Sequence, residues 1–167
     1  MAEKETFLSY YGRYRDKIYT YFLYRVSFQR ELSEDLTSDV FLKAFDAFDS
    51  FDANRSFQAW IYTIARNHLI NFYHKQAKQK TVALEDVKDT LLAGAHEDDS
   101  RKIDRTLEFE RVMERIDTLP EEHQELIVLR YMNELSYKEI ADITGKEEGA
   151  LRVAVSRILQ TLKETYE

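Results

Sequence analysis

The chain has 167 residues, 44% of them apolar and 13% aromatic, which is enough to bury a core and excludes disorder throughout. Only four Gly and one Pro occur, too few for a turn-rich all-β fold, and the absence of Cys excludes disulfides and thiolate metal sites. The formal charge is −7, no run of 18 apolar residues exists, and the first residues show no apolar leader, so a cytoplasmic protein is expected.

Taken in chain order, residues 5–27 place Phe7, Leu8, Tyr11, Tyr14, Ile18, Tyr21, Phe22 and Val26 at spacings of three and four, which predicts a first helix. Residues 33–48 repeat the pattern with Leu36, Val40, Phe41, Ala44, Phe45 and Phe48. Ser33 is the expected N-cap, followed by Glu34 and Asp35 in the first turn. DSFDANRS, residues 49–56, reads as a loop. A long helix is predicted from Phe57 to about Lys78, with Ile61, Ile64, Ala65, Leu69 and Phe72 as its core stripe.

Residues 79–104 lose the periodicity and carry Gly94 and HEDDS, the mark of a linker holding at most a short helix over Leu84–Leu92. Helical spacing returns with Leu107, Val112, Met113, Ile116 and Leu119, and Pro120 restarts a helix carrying Leu126, Ile127, Leu129, Arg130 and Tyr131. Ser136 and Glu139 form a capping box, Ile140, Ala141 and Ile143 follow, and Gly145 stops the helix. Leu151, Val155, Ile158 and Leu162 hold the last helix on the core. The expected fold is all-α: two small helical domains, 1–78 and 105–167, joined by a flexible acidic linker over 79–104.

Charge is unevenly distributed. Residues 53–84 carry five basic and no acidic side chains, whereas residues 1–52, 85–104 and 105–167 have net charges of −3, −4 and −5. A stretch this long without a carboxylate, in so acidic a chain, suggests an anion-binding surface. Within it, FQAWIYTIARNHLINFYHKQAKQK interleaves rings, amides and cations, a combination suited to single-stranded DNA: rings stack on bases, amides read base edges and cations follow phosphates. The ordinary alternative is an amphipathic helix whose Trp60 fills the core. Near the C-terminus, the two helices around Gly145 have the form of a helix-turn-helix, with Arg152, Ser156 and Arg157 on the outer face of its second helix and Gly149 and Ala150 near its start. A plain three-helix packing unit would look similar, and the arginines would then be a solvated face.

Three blocks in register, ELSEDLTSDVFLKAFDAFDSF, FQAWIYTIARNHLINFYHKQAK and LPEEHQELIVLRYMNELSYKEIADITGKEEGALRVAVSRIL, resemble the extracytoplasmic-function (ECF) group of sigma-70-like transcription initiation factors, over about residues 6–78 and 105–165. The resemblance implies a non-enzymatic subunit of RNA polymerase. Asp35, Leu36, Asp39, Val40, Phe41, Lys43 and Phe45 would dock on the coiled coil of the largest polymerase subunit. Asn54, Arg55, Ser56 and Phe57 would line a pocket for a flipped base of the −10 promoter element, and Trp60, Tyr62, Arg66, Asn67, Asn71, His74, Lys75 and Lys78 would face the melting strand. Gly149, Ala150, Arg152, Val153, Ser156 and Arg157 would read the −35 element as duplex. The family also implies control by an anti-sigma factor, and a linker whose acidity mimics RNA.

The match departs from the family at the reading helix. Glu147 stands where a small hydroxyl cap is usual, Glu148 follows, and the triplet Arg152-Val153-Ala154 replaces Lys-Ser-Arg. Either the −35 contact is weak or unusual, or this face is turned toward a protein. The alternative function is a helix-turn-helix regulator that is not a polymerase subunit. Catalysis and a metal site are not expected, because His68, His74, His96 and His123 are scattered and no H-E-x-x-H, phosphate-binding loop or G-x-S-x-G motif occurs. No cofactor is expected.

Overall fold

The computed structural model describes residues 2–83 and 107–166, and these are helical without any strand. Helix α1 spans Ala2–Arg25, α2 Arg30–Ala47 and α3 Phe57–Ala83; α4 spans Leu107–Asp117, α5 Glu121–Ile127, α6 Tyr137–Thr144 and α7 Glu148–Tyr166. No described helix is long and apolar enough to cross a membrane.

The first three helices form because each carries one apolar stripe. Phe7, Ile18, Tyr21, Phe22 and Val26 from α1, Leu36, Val40, Phe41 and Ala44 from α2, and Phe57, Ile61, Tyr62, Ala65 and Leu69 from α3 are all buried together. Leu8 departs from the expected stripe: it is 65% exposed, beside the half-open Tyr11. The α1–α2 connection is a tight turn in which Ser27 and Phe28 both take left-handed backbone (φ 54° and 63°), unusual for residues with a Cβ. Packing of the Phe28 ring against Tyr24 and against Phe109 of α4 holds that strained turn.

Helix α2 starts a turn earlier than the Ser33 N-cap predicts. Gln29 is the extended residue before it, and Ser33 is buried in the first turn, its hydroxyl donating to the Gln29 carbonyl at 2.7 Å. A short 3-10 turn, Phe48–Ser50, then leads into the loop. Ser56 caps α3, its Oγ accepting the Ala59 N–H at 3.2 Å. Helix α3 continues to Ala83, so the first residues of the expected linker are helical; the rest of the linker, with the suggested helix over Leu84–Leu92, lies outside the described residues.

In the C-terminal part, Pro120 sits at the N-cap position of α5 rather than inside it, and the chain passes from α5 into a π turn, Val128–Met132, closed by the Asn133 N–H on the Val128 carbonyl at 2.9 Å. The Ser136–Glu139 capping box forms as expected, and Gly145 ends α6 with φ 74°. Met113, Ile116, Ile140, Ile143, Leu151, Val155 and Ile158 are buried, whereas Leu107 (74% exposed) and Val112 fall off the stripe.

The two helical parts are packed on one another, and their buried side chains form one continuous cluster. Between them, Arg66 Nε donates to Glu125 Oε1 at 2.6 Å, and the Asn133 amide donates to both the Tyr62 hydroxyl and the Lys17 carbonyl at 3.0 Å.

Candidate nucleic-acid and polymerase interfaces

The loop between α2 and α3 builds a pocket. Asp52 organises it: its carboxylate accepts the Asn54 N–H at 3.0 Å and its carbonyl accepts the Arg55 N–H at 2.9 Å. Phe51 and Trp60 form the floor, 4.9 Å apart between ring centroids, with Arg55, Ser56, Ala59 and Thr63 around them. Asp142 of α6 closes one wall. An aromatic floor rimmed by hydroxyls, by the carboxylates of Asp52 and Asp142 and by the Arg55 guanidinium, 3.8 Å from Asp52, can hold a planar base by its face and by its edge. The expected position of Phe57 at this pocket is not what the structure gives. Phe57 is 4% exposed and stacked on Tyr10 at 4.0 Å with the rings nearly parallel, so it supports the pocket from behind.

Along α3 the expected strand-facing residues divide between two flanks. Asn67, Asn71, His74, Lys75 and Lys78 are exposed, and Trp60 leads into them from the pocket. Tyr62 and Arg66 lie on the other flank, against the C-terminal helices. Tyr62 is fully buried, holding the Asn133 amide, and Arg66 is paired with the nearly buried carboxylate of Glu125. Neither faces open solvent as the sequence reading expects. Helical spacing places 62 and 66 together, but only the docked C-terminal part decides that this flank is covered.

Helix α2 shows a similar division. Asp35, Asp39, Lys43 and Phe45 are exposed, whereas Leu36, Val40 and Phe41 are buried at 5% exposure or less and serve the core instead of a partner. The apolar group that the sequence reading missed is Leu42, 65% exposed, on the outer side of the helix near Phe45. Its signal was that it lies off the apolar stripe. Asp39 and Lys43 meet His68 of α3 in the groove between α2 and α3. Lys43 can only donate, so the 2.8 Å contact makes His68 Nδ1 the acceptor, and Nε2–H then faces Asp39 Oδ2 at 3.3 Å. Burial, reinforced by the Lys43 charge, pushes the His68 pKa below its ordinary value. The same groove reaches Asn71, His74, Lys75 and Lys78, so the outer strip of α3 borders the face of α2. Among the described residues no group of three or more His, Asp or Glu could hold a metal ion.

The helix-turn-helix presents Gly149, Ala150, Arg152, Val153, Ser156 and Arg157 on one exposed face of α7. Arg152 is held in place there. Its guanidinium lies 4.8 Å from the Tyr137 ring and 3.7 Å from Glu148, while Arg130 covers the same ring at 4.4 Å. Glu148 thus offsets a cation of its own helix, and Glu147 stands exposed at the helix mouth.

Residues 10–79 match Sigma-70 region 2 and residues 109–162 match Sigma-70 region 4. RNA polymerase sigma factor YlaC of Bacillus subtilis is 29% identical over 98% of this chain and 94% of its own. ECF RNA polymerase sigma factor SigF of Caulobacter vibrioides is 30% identical over 89% of this chain and 78% of its own. The fold is that of the sigma factor RpoE solved in complex with the anti-sigma factor NepR from Bartonella quintana, with a TM-score of 0.70 over 96% of both chains at 22% identity. With both regions in register and a relative sharing nearly a third of its residues along most of its length, the chain belongs to the ECF group of the sigma-70 family of RNA polymerase sigma factors.

Proposed function

We propose that the chain directs core RNA polymerase to promoters by holding one base of the melted −10 element in the pocket made by Phe51, Arg55, Ser56 and Trp60. The observation that carries this is the aromatic floor of that pocket opening onto a helix with no carboxylate of its own from Phe57 to Ala83. Stacking on one ring contributes ~1–3 kcal/mol, comparable with the cost of unstacking a base from the duplex. Asn54 reads the base edge from the loop, and Asn67, Asn71, His74, Lys75 and Lys78 follow the strand along α3. Tyr62 and Arg66 join them only when the C-terminal helices move off that flank.

In this reading residues 1–78 are the polymerase and −10 unit, 79–104 the linker and 105–167 the −35 unit. Asp35, Asp39, Lys43, Leu42 and Phe45 form the face toward the largest-subunit coiled coil, with acids steering the encounter and exposed apolar groups anchoring it. Gly149, Ala150, Arg152, Val153, Ser156 and Arg157 enter the −35 duplex, with Arg152 pre-set by Tyr137. An anti-sigma factor clamping both units is the regulator. The chain works in the cytoplasm, without catalysis or cofactor of its own. The acidic total keeps the free chain off nonspecific DNA, and polymerase supplies most phosphate contacts.

In vitro transcription with core polymerase tests this. Asn54→Ala, Arg55→Ala and Trp60→Ala are each expected to join core normally and to lose open-complex formation. Melting by all three at the unsubstituted level overturns the pocket assignment. Failure of the unsubstituted chain to join core would favour the regulator reading instead.

A further inference from the structure

We propose that the cation-bearing edge of α1 is a second contact surface for single-stranded promoter DNA, continuous with the loop pocket. Tyr10, Arg13, Tyr14 and Lys17 recur at spacings of three and four, so they share one face of α1. The Arg13 guanidinium lies 5.9 Å from the Tyr10 ring, and the Lys17 ammonium 5.1 Å from the Tyr14 ring. Tyr10 in turn stacks on Phe57 and meets Phe51 edge-on at 6.2 Å, and Phe51 is the floor of the pocket. One unbroken run of rings therefore leads from Trp60 to the edge of α1.

The charges on this edge are open. Arg13 and Lys17 are exposed and have no carboxylate partner among the described residues, in contrast to Arg15 with Asp16, Arg66 with Glu125 and Arg152 with Glu148. In a chain with 31 acidic side chains, two neighbouring cations left on rings are a place for an outside anion. They stand one helical turn apart, about 6 Å along the axis, and the flat guanidinium over Tyr10 can itself stack on a base. The Asn133 amide bridges the Lys17 carbonyl and the Tyr62 hydroxyl, so this edge adjoins the covered flank of α3. Departure of the C-terminal helices would open that flank beside the already exposed edge of α1. A polyanion that carries bases fits rings and cations together; an acidic protein surface would use only the cations.

The inference rests on the pocket reading above, and the test separates the two. Holoenzyme is assembled with unsubstituted chain, with the double variant Arg13→Ala/Lys17→Ala, with Arg15→Ala as control, and with Trp60→Ala. Binding is measured on promoter forks with and without a single-stranded non-template tail, across a salt series. The double variant is expected to join core normally and to lose part of the affinity contributed by the tail, the rest being held by the pocket and α3. Its log–log salt slope on the tailed fork is expected to fall by about 1.4, since each phosphate contact on a single strand contributes ~0.7. Arg15→Ala is expected to behave as unsubstituted chain. Unchanged tail affinity and slope in the double variant, with melting lost in Trp60→Ala, overturns the α1 surface alone. No loss in either variant overturns the pocket reading as well. Weakened assembly with core at unchanged tail binding makes this edge a protein contact and also overturns the proposal.

Discussion

Glu125→Ala tests the packing of the two parts most directly. Glu125 is 59 residues from its partner Arg66, and its side chain is 8% exposed against 25% for Arg66. Removing one partner of a fully buried pair costs about 3–5 kcal/mol, because the other charge is left uncompensated. Water can still reach a quarter of the Arg66 side chain, so solvation offsets part of that loss and about 2–3 kcal/mol is expected. The assay is a double-mutant cycle by urea unfolding, using Glu125→Ala, Arg66→Ala and both together. If the pair holds the parts together, the two single losses are far from additive, and Arg66→Met with Glu125→Leu recovers most of the stability because apolar groups of similar size can replace a buried pair. Free Arg66 should also raise the affinity of the isolated Glu125→Ala chain for single-stranded promoter DNA, whereas Arg66→Ala lowers it. A coupling energy within about 0.5 kcal/mol of zero, the ordinary error of additivity, would refute the reasoning and mean that this pair does not hold the parts together.

Three further outcomes follow from local geometry. Gly145→Ala meets no atom within 4 Å, so its cost is the left-handed backbone at φ 74° alone, about 1–2 kcal/mol by thermal unfolding. Ser136→Ala removes the oxygen that accepts the Glu139 N–H and is expected to cost about 1 kcal/mol, with the helix-turn-helix frayed in hydrogen exchange. His68 has a folded pKa below its ordinary 6.5, so its contribution is complete above that value and is lost as pH falls through the folded pKa; the urea midpoint should drop between pH 7.5 and 5.5 by more in the unsubstituted chain than in His68→Gln.

Much of the architecture was legible as periodicity. Phe57 through Leu69 had to be helical because their apolar groups recur at helical spacing, and the Ser136 box and Gly145 announce their ends in the residue types themselves. The α1–α2 turn was not legible, since neither Ser27 nor Phe28 is a residue that favours positive φ, and one of the two rings that hold it, Phe109, comes from elsewhere in the chain. For the same reason Ser33 could not be placed: a hydroxyl caps a helix or bonds back within it, according to where the chain enters.

The interfaces divide along the same line. Residue type and spacing alone determined that rings, amides and cations would gather on α3, because composition and helical phase are local properties. Which side of each helix would meet solvent depended on distant neighbours. Leu36, Val40 and Phe41 turn inward because α1 and α3 cover them, and Tyr62 and Arg66 are occupied because Asn133 and Glu125 reach them from the other end of the chain. Burial is a property of the packed assembly of helices, and only the tertiary structure could decide it.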